Sequence, residues 1–243
     1  MLRCSPTPYY TKVLFLSVRK SLYSNPCMFD LEEAIRVRHS TRMFLSQPVP
    51  RVLLDEALAL AVCAPSNSNI QPWHIVFASG PARDRLVQAL LEAARRGPPN
   101  IPPLPESFLH FRRELGAQVY GSMGIAREDK EGRAVAEMRN FEFFRAPVAG
   151  IVCMHWHLGP PDALSVGMFL QTLLLALTAR GLGTCVEVSI AGYPEVVRAQ
   201  LAIPAELSIL CGLAVGYPDP EFPCNKLHIG REAVEKNVVF LDS

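Results

Sequence analysis

The segment that most constrains the fold is Leu207–Val215, which is apolar almost without interruption. A strand that is apolar on both sides has to be buried on both faces, so this run is predicted to be a central strand of a sheet. The segments Trp73–Ala78, Pro147–Met154 and Thr184–Ser189 are predicted to be extended as well. Because these strands are mixed with many helical segments, the chain is predicted to form an α+β layered fold, with a central mixed sheet flanked by helices.

Helices are predicted from their capping residues and their apolar periodicity. Asp30 is a good N-cap for a first helix, Leu31–Arg38, because a carboxylate there accepts hydrogen bonds from free backbone N–H groups. Further helices are predicted from Pro50, from Pro81 through Ala94, over Ser107–Tyr120, over Lys130–Phe144, over Val166–Ala179 and from Pro194 to Leu201. The proline-rich stretch Gly97–Pro105 fits neither a helix nor a central strand, so it is predicted to be an irregular loop.

The first 28 residues differ in character from the rest of the chain. They contain four basic residues and several serines, and no acidic residue precedes Asp30. This composition is typical of a mitochondrial presequence, although an unstructured leader, or a start codon assigned too early before Met28, explains it equally well. We therefore expect a basic leader, 1–28, followed by one domain, 29–243, in a cytoplasmic protein for which mitochondrial import is the alternative.

Charge and cysteine content exclude several classes of partner. The net charge is +1, from 24 basic and 23 acidic residues, so no nucleic-acid partner is expected, and no stretch predicts a membrane span. The seven cysteines are scattered and lie mostly in apolar runs, which is typical of reduced buried thiols. No cysteine or histidine spacing matches a zinc site, and His155 and His157 are interpreted as the end of a strand, so no metal is expected.

Two polar segments carry the residues that are best suited to bind a ligand. Arg38-His39-Ser40-Thr41-Arg42 places two guanidiniums and a hydroxyl directly after a short helix, and such groups match phosphate oxygens. Pro65-Ser66-Asn67-Ser68-Asn69 follows an apolar helix and offers amides, hydroxyls and backbone N–H groups to a planar polar ligand. A simple Asx-type turn before a strand is the alternative for the second segment.

At this spacing the two segments resemble the FMN-dependent nitroreductase family, in which Arg-x-Ser-x-Arg/Lys and Pro-Ser-x-x-Asn-x-Gln-Pro-Trp both touch the flavin. The resemblance covers nearly the whole chain after residue 28. Met168–Thr172 followed by Gly181–Thr184 resembles the family's long helix and the turn that meets the flavin. Gly216–Glu221, with Asn225 and Arg231, resembles the C-terminal segment of one subgroup.

The resemblance implies a cofactor site made by two subunits of an intertwined homodimer. It implies that Arg38, Ser40 and Arg231 hold the FMN phosphate and that Arg42 approaches the flavin pyrimidine. No catalytic side chain is expected, because the chemistry lies on FMN and backbone N–H groups of Val188 and Ser189 meet flavin N5. The cofactor-binding residues expected in all are Arg38, His39, Ser40, Arg42, Pro65, Ser66, Asn67, Asn69, Val188, Ser189 and Arg231.

Two further expectations concern the substrate side and the dimer. The resemblance implies that the region around Gly97–Pro105 covers the open flavin face, so Phe108 and Phe111 are expected to contact substrate, with core packing as an equal alternative. The helix Val166–Ala179 is apolar on more than one face and is predicted to build the dimer. Burial of that helix inside one subunit is the alternative.

The resemblance implies hydride transfer from NAD(P)H through FMN to a nitroaromatic, quinone or conjugated carbonyl. The sequence has no Gly-x-Gly-x-x-Gly after a strand, so a Rossmann domain is not expected. Asp162-Ala163 stands where the closest subgroup has Gln-Trp, which indicates an altered pocket. A flavin-dependent dehydrogenase or tailoring enzyme of secondary metabolism is therefore the first alternative, and a non-catalytic flavin-binding protein is the second.

Overall fold

The computed structural model describes residues 30–241, and the predicted leader lies outside them. Its sheet consists of β1 (His74–Ser79), β2 (Val148–His155), β3 (Gly183–Glu187) and β4 (Leu207–Gly216), in the order β1-β2-β4-β3. The predicted central position of the Leu207–Val215 run is confirmed, because β4 pairs with β2 on one side and with β3 on the other. All three strand pairs are antiparallel, so the mixed character expected of the sheet is limited to an isolated parallel bridge between Ser40 and Thr184.

Seven α-helices surround this sheet in the part of the chain that the structure describes. They are α1 (Leu31–Val37), α2 (Arg51–Ala61), α3 (Gly80–Arg96), α4 (Leu109–Ser122), α5 (Lys130–Met138), α6 (Pro160–Thr178) and α7 (Pro194–Leu201). One buried cluster joins α3 and α7 to the sheet, and a second joins α2 and α6 to it. The predicted α+β layered fold is therefore confirmed, whereas the division into a leader and one domain stays a prediction.

Most helix boundaries lie within two residues of those predicted, and two differ by more. The helix expected over Lys130–Phe144 ends at Met138, because Phe143 and Phe144 bury their rings in the core with a left-handed backbone, at φ 51° for both residues. The helix expected from Val166 begins at Pro160 instead. The Asp162 carboxylate accepts a hydrogen bond from the Gly159 N–H (3.1 Å) and so caps this earlier start.

The apolar surface of α6 is used mainly within its own chain. Five of the six residues on which a dimer contact was predicted are buried there, namely Val166, Phe169, Leu173, Leu174 and Leu177. Among the helices between residues 30 and 241, α6 alone is long and apolar enough to cross a membrane. Half of its apolar stretch is buried inside the protein. The buried residues of α6 are therefore accounted for within one chain, and a dimer contact through this helix stays a prediction.

The cysteines between residues 30 and 241 are free thiols, as predicted. Four of them are buried, and only Cys63 is exposed. Burial raises the pKa of Cys153 to about 11 and that of Cys185 to about 12, so these thiols stay protonated at neutral pH and are poor nucleophiles.

Candidate functional site

The segment Arg38–Arg42 is held against the start of β3. Ser40 forms the parallel bridge with Thr184, and the Thr41 N–H donates to the Thr184 carbonyl (2.9 Å). The approach depends on Gly183, where a Cβ would lie 2.4 Å from Thr41 Oγ1 and 2.8 Å from Pro218 Cγ. Because both distances are shorter than any van der Waals contact, only glycine allows the segment to dock in this position.

Arg38 and Arg231 are brought close together from opposite ends of the domain. Burial and the neighbouring Arg231 guanidinium both lower the pKa of Arg38. Within residues 30–241, neither of these arginines nor Arg42 forms an ion pair with a carboxylate. An anion bound between two like charges stabilises both, so the phosphate-binding role of these two arginines stays a prediction that this repulsion supports.

Asn225 connects the two parts of this cationic site. Its side-chain oxygen accepts a hydrogen bond from the Arg42 N–H (2.7 Å), and its amide donates to the carbonyls of Met43 (2.8 Å) and Asp219 (2.9 Å). It thus fixes the arginine segment to the C-terminal segment that carries Arg231. The sequence marked Asn225 only as part of a motif, and its positioning role became visible with these contacts.

The polar turn that contains Pro65, Ser66, Asn67 and Asn69 is anchored to the start of α6. The Asn67 N–H donates to Ser165 Oγ (3.2 Å), and its side-chain amide donates to Asp162 (3.3 Å). Asn69 adopts a left-handed backbone, with φ 57°. Residues held in such conformations cluster at ligand-binding sites, where the surrounding structure imposes them.

This turn does not join the arginine site within one chain. Pro65, Asn67 and Asn69 are exposed, and Ser66 is half-buried. In the part of the chain that is described, no hydrogen bond links the turn to Arg38–Arg42. The structure therefore places Arg38, Ser40 and Arg42 on one segment, with Arg231 near Arg38, and leaves the turn available to another surface, as expected if it serves a partner's site.

Val188 and Ser189 follow β3 and do not extend it. The strand predicted through Ser189 ends at Glu187, and a short 3₁₀ helix, Val188–Gly192, begins there. The first N–H groups of a helix have no acceptor within it, so they are available to a ligand. Ser189 Oγ is buried without a partner between residues 30 and 241, and the Val188 side chain is 55% exposed. Both features suit contact with a planar group.

The aromatic residues are divided between the surface and the core. Phe108 and Phe111 are exposed (52% and 42%), so the core-packing alternative for them is wrong. Trp73 stacks on Phe169 at 4.9 Å, and His39 is hydrogen-bonded to the Val37 carbonyl (2.9 Å). His39 Nε2 is buried without a partner among the described residues, so it is a polar atom that a ligand could satisfy.

Glu187, which the sequence did not single out, is the most deeply buried acidic group near the site. Neither of its carboxylate oxygens has a hydrogen-bond partner within residues 30–241. Burial raises its pKa well above the usual range of a carboxylate, and the Arg83 guanidinium opposes this shift. Burial therefore favours the neutral form of the Glu187 carboxyl over its ionised form, directly before Val188 in the chain.

The Glu187→Gln variant is expected to remove a pH-dependent component of stability. Because the pKa of Glu187 is raised in the folded state, the group contributes its full stabilisation below the ordinary pKa of a glutamate. The free energy of unfolding then falls as pH rises through the folded-state pKa, by up to about 1.4 kcal/mol per pH unit. Urea unfolding from pH 5 to 8 should show this loss in the unmodified protein and in an exposed control, Glu128→Gln, but not in Glu187→Gln. Parallel stability curves for all three proteins would show that Glu187 is ionised in the folded state.

Comparisons with known proteins agree with this arrangement. The profile of the Nitroreductase family matches residues 35–217. The chain is 32% identical over 234 residues to a 4-nitrobenzoate reductase of Nocardioides sp. (strain LMS-CY), covering 92% of this chain and 95% of the relative. It is 34% identical over 223 residues to a nitrobenzene nitroreductase of Ectopseudomonas oleovorans, covering 87% and 96%.

A solved structure with the same fold is the FMN and NADPH-dependent nitroreductase NfnB from sphigopyxis sp. strain HMH. It has a TM-score of 0.84 and 32% identity, over 88% of this chain and 99% of the other. The predicted family and fold are thereby confirmed. The chain belongs to the Nitroreductase family.

Proposed function

We propose that the protein is an FMN-dependent oxidoreductase that transfers hydride from NAD(P)H to a nitroaromatic acceptor. The observation that carries this proposal is the approach of Arg38 to Arg231, without a carboxylate to neutralise either one in the described chain. Relatives of similar length are a 4-nitrobenzoate reductase and a nitrobenzene nitroreductase, and a solved relative is FMN- and NADPH-dependent. Quinones and conjugated carbonyls stay predictions of the sequence.

In this proposal the protein positions the cofactor and sets its electrostatics. Bound FMN supplies the hydride chemistry. Arg38, Ser40 and Arg231 hold the phosphate by charge-assisted hydrogen bonds. Arg42 would supply a cation to the pyrimidine side of bound FMN, and a cation there would favour negative charge on the reduced flavin. The backbone N–H groups of Val188 and Ser189, at the start of a 3₁₀ helix, would be the donors that hold the edge of the flavin ring.

The proposal is tested by anaerobic rapid mixing of the purified, FMN-loaded protein. NADPH or NADH should bleach the flavin absorbance, and a nitroaromatic such as 4-nitrobenzoate should restore it in a separate second step. Steady-state rates should then follow ping-pong kinetics, because donor and acceptor use the same site in turn. A flavin that neither NADPH nor NADH reduces would contradict the proposal and favour a flavin-binding protein without this activity.

The exposed rings of Phe108 and Phe111 are proposed to contact the acceptor. Phe108→Ala and Phe111→Ala should change kcat/KM by about 0.5–1.5 kcal/mol for large aromatic acceptors, and less for small ones. Reduction by NADPH and flavin content should stay nearly constant. Val135→Ala, an exposed apolar residue on α5, is the matched control. If the ranking of acceptors is the same in all four proteins, these rings do not contact substrate.

We also propose that the active form is a homodimer, on grounds other than the apolar face of α6. The C-terminal run Val238, Val239, Phe240 and Leu241 is 45–88% exposed, and large contiguous apolar surface is characteristic of an interface. The exposed turn around Asn67 would then complete the cofactor site of the second copy. The dimer and its shared sites are thus parts of one proposal.

The dimer is tested by making its proposed contact surface polar. In a monomer, Val239→Ser with Phe240→Ser would change little, because both side chains are already 77–79% exposed. In the proposed dimer, the double variant should weaken association and release FMN, since the turn of the partner is lost from the site. Sedimentation and flavin content provide the measurement, with Val135→Ser as control. A flavin-loaded, active monomer of the unmodified protein would contradict the proposal.

A further inference from the structure

A cavity of about 880 Å³ lies between α4, α5 and the short turn Pro223–Lys226. Its wall carries an unusual concentration of one charge. Six arginines of the described chain line it, namely Arg42, Arg112, Arg113, Arg127, Arg133 and Arg139. Among residues 30–241, Glu137 supplies the single carboxylate in the lining, and it accepts a hydrogen bond from the Tyr120 hydroxyl (3.2 Å). The cavity is therefore strongly cationic.

The arginines of this cavity are not neutralised by the protein. None of the six forms an ion pair with a carboxylate in the part of the chain between residues 30 and 241. So many like charges on one wall favour the binding of an anion with several charged oxygens.

Two of the half-buried arginines are held in place by aromatic rings. The Arg133 guanidinium lies 5.1 Å from the centre of the Tyr120 ring, and the Arg139 guanidinium lies 5.5 Å from that of Phe222. Arg133 Nε is buried without a partner among the described residues. Stacked guanidiniums lose little freedom when they bind a ligand, so this part of the wall is organised in advance.

Three other arginines are exposed at the rim, and the cavity borders the cofactor site. Arg112, Arg113 and Arg127 lie on the solvent side, where their forks are free to turn toward a ligand. Within the described chain, the cavity shares one residue with the expected FMN site, Arg42, which is expected beside the flavin pyrimidine. A ligand that reacts at the flavin could therefore extend past Arg42 into the cavity.

We propose that this cavity binds the phosphate groups of the dinucleotide donor and selects NADPH over NADH through its additional 2′-phosphate. The inference rests on the proposed function and adds a binding site to it. Cavities of about 300–1,000 Å³ hold ligands of drug size, and 880 Å³ suits the adenosine phosphate half of a dinucleotide. The carboxylate of a single-ring acceptor requires one guanidinium fork, and it would leave most of these charges without an anion.

The test measures ligand binding directly on the oxidised, FMN-loaded protein. Calorimetry should show that adenosine 2′,5′-bisphosphate binds with higher affinity than AMP, which lacks the 2′-phosphate. The triple variant Arg112→Gln, Arg113→Gln, Arg127→Gln should weaken the bisphosphate about tenfold or more, because charge-assisted hydrogen bonds are lost. Arg85→Gln on α3, an exposed arginine outside the cavity, is the matched control and should bind as the unmodified protein does.

Kinetics separate this site from its alternatives. In the triple variant, KM for NADPH should rise about tenfold and KM for NADH by less, while kcat and flavin content stay constant. Should the triple variant unfold, the single variant Arg113→Gln replaces it, and it should likewise weaken binding of the bisphosphate and raise KM for NADPH. Thermal unfolding of each variant reports whether the fold is intact.

Three results would overturn the inference and leave the proposed function intact. The first is equal affinity of the unmodified protein for the bisphosphate and AMP. The second is loss of FMN from the triple variant, which would assign the cavity to the flavin phosphate. The third is a raised KM for 4-nitrobenzoate with an unchanged KM for NADPH, which would assign it to the acceptor. Failure of the proposed function itself would appear differently, as absence of flavin reduction in the unmodified protein.

Discussion

Arg231→Ala is expected to weaken FMN binding by about 1.5–3 kcal/mol, and Arg38→Ala by a similar amount, because each loses charge-assisted hydrogen bonds to the phosphate. Since every 1.4 kcal/mol corresponds to a tenfold change in affinity, the dissociation constant should rise by roughly 10- to 150-fold. Titration of the flavin-free protein with FMN measures it. Arg95→Gln, an exposed arginine at the end of α3, is the control.

The double variant tests whether the two arginines bind one group. If both contact the same phosphate, the effects of Arg38→Ala and Arg231→Ala should not add, because removing either one changes how the other is held. Additive effects would place them on separate groups. Unchanged FMN affinity in both single variants would show that the assignment of the phosphate site is wrong.

Gly183→Ala is expected to displace the segment Arg38–Arg42 from its position against β3. The new Cβ would lie 2.4 Å from Thr41 Oγ1, so the segment Arg38–Arg42 has to move away from β3. Strain of this kind typically costs about 1–3 kcal/mol of stability, and the displaced arginines should also lower FMN affinity. Urea unfolding and FMN titration measure the two effects.

Gly167 provides the matched control, because it lies within α6 and nothing stands within 4 Å of a Cβ added there. Alanine is a better helix former than glycine, so Gly167→Ala should be neutral or stabilising by up to about 1 kcal/mol. If Gly183→Ala has the stability and FMN affinity of the unmodified protein, the close approach of Thr41 does not hold the site together.

Local patterns predicted the elements of the fold well, because each depends on neighbouring residues. The α7 boundaries, Pro194–Leu201, were predicted correctly from a proline at the helix start, and β4 from its apolar run. The early end of α5 could not be predicted, because Phe143 and Phe144 leave the helix to fill the core. Such packing depends on residues that are distant in the sequence.

The candidate site was likewise predictable where residues close in sequence form a motif, and not where it depends on contacts between distant segments. The arginines and the polar turn were recognised from spacing, through resemblance to a family. The neutral, buried state expected of Glu187 and the link made by Asn225 depend on contacts between distant segments. The arginine cavity joins Arg42 to residues of α4 and α5. Because α2, β1 and α3 lie between them along the chain, no sequence motif marks the cavity.

The most direct test of the account is to identify the cofactor released from the purified protein. Heat or acid should release a yellow compound that chromatography identifies as FMN, at one molecule per chain, and the Arg38→Ala variant should retain much less of it. A protein that carries no flavin, and that does not bind FMN when it is added, would contradict the central claim.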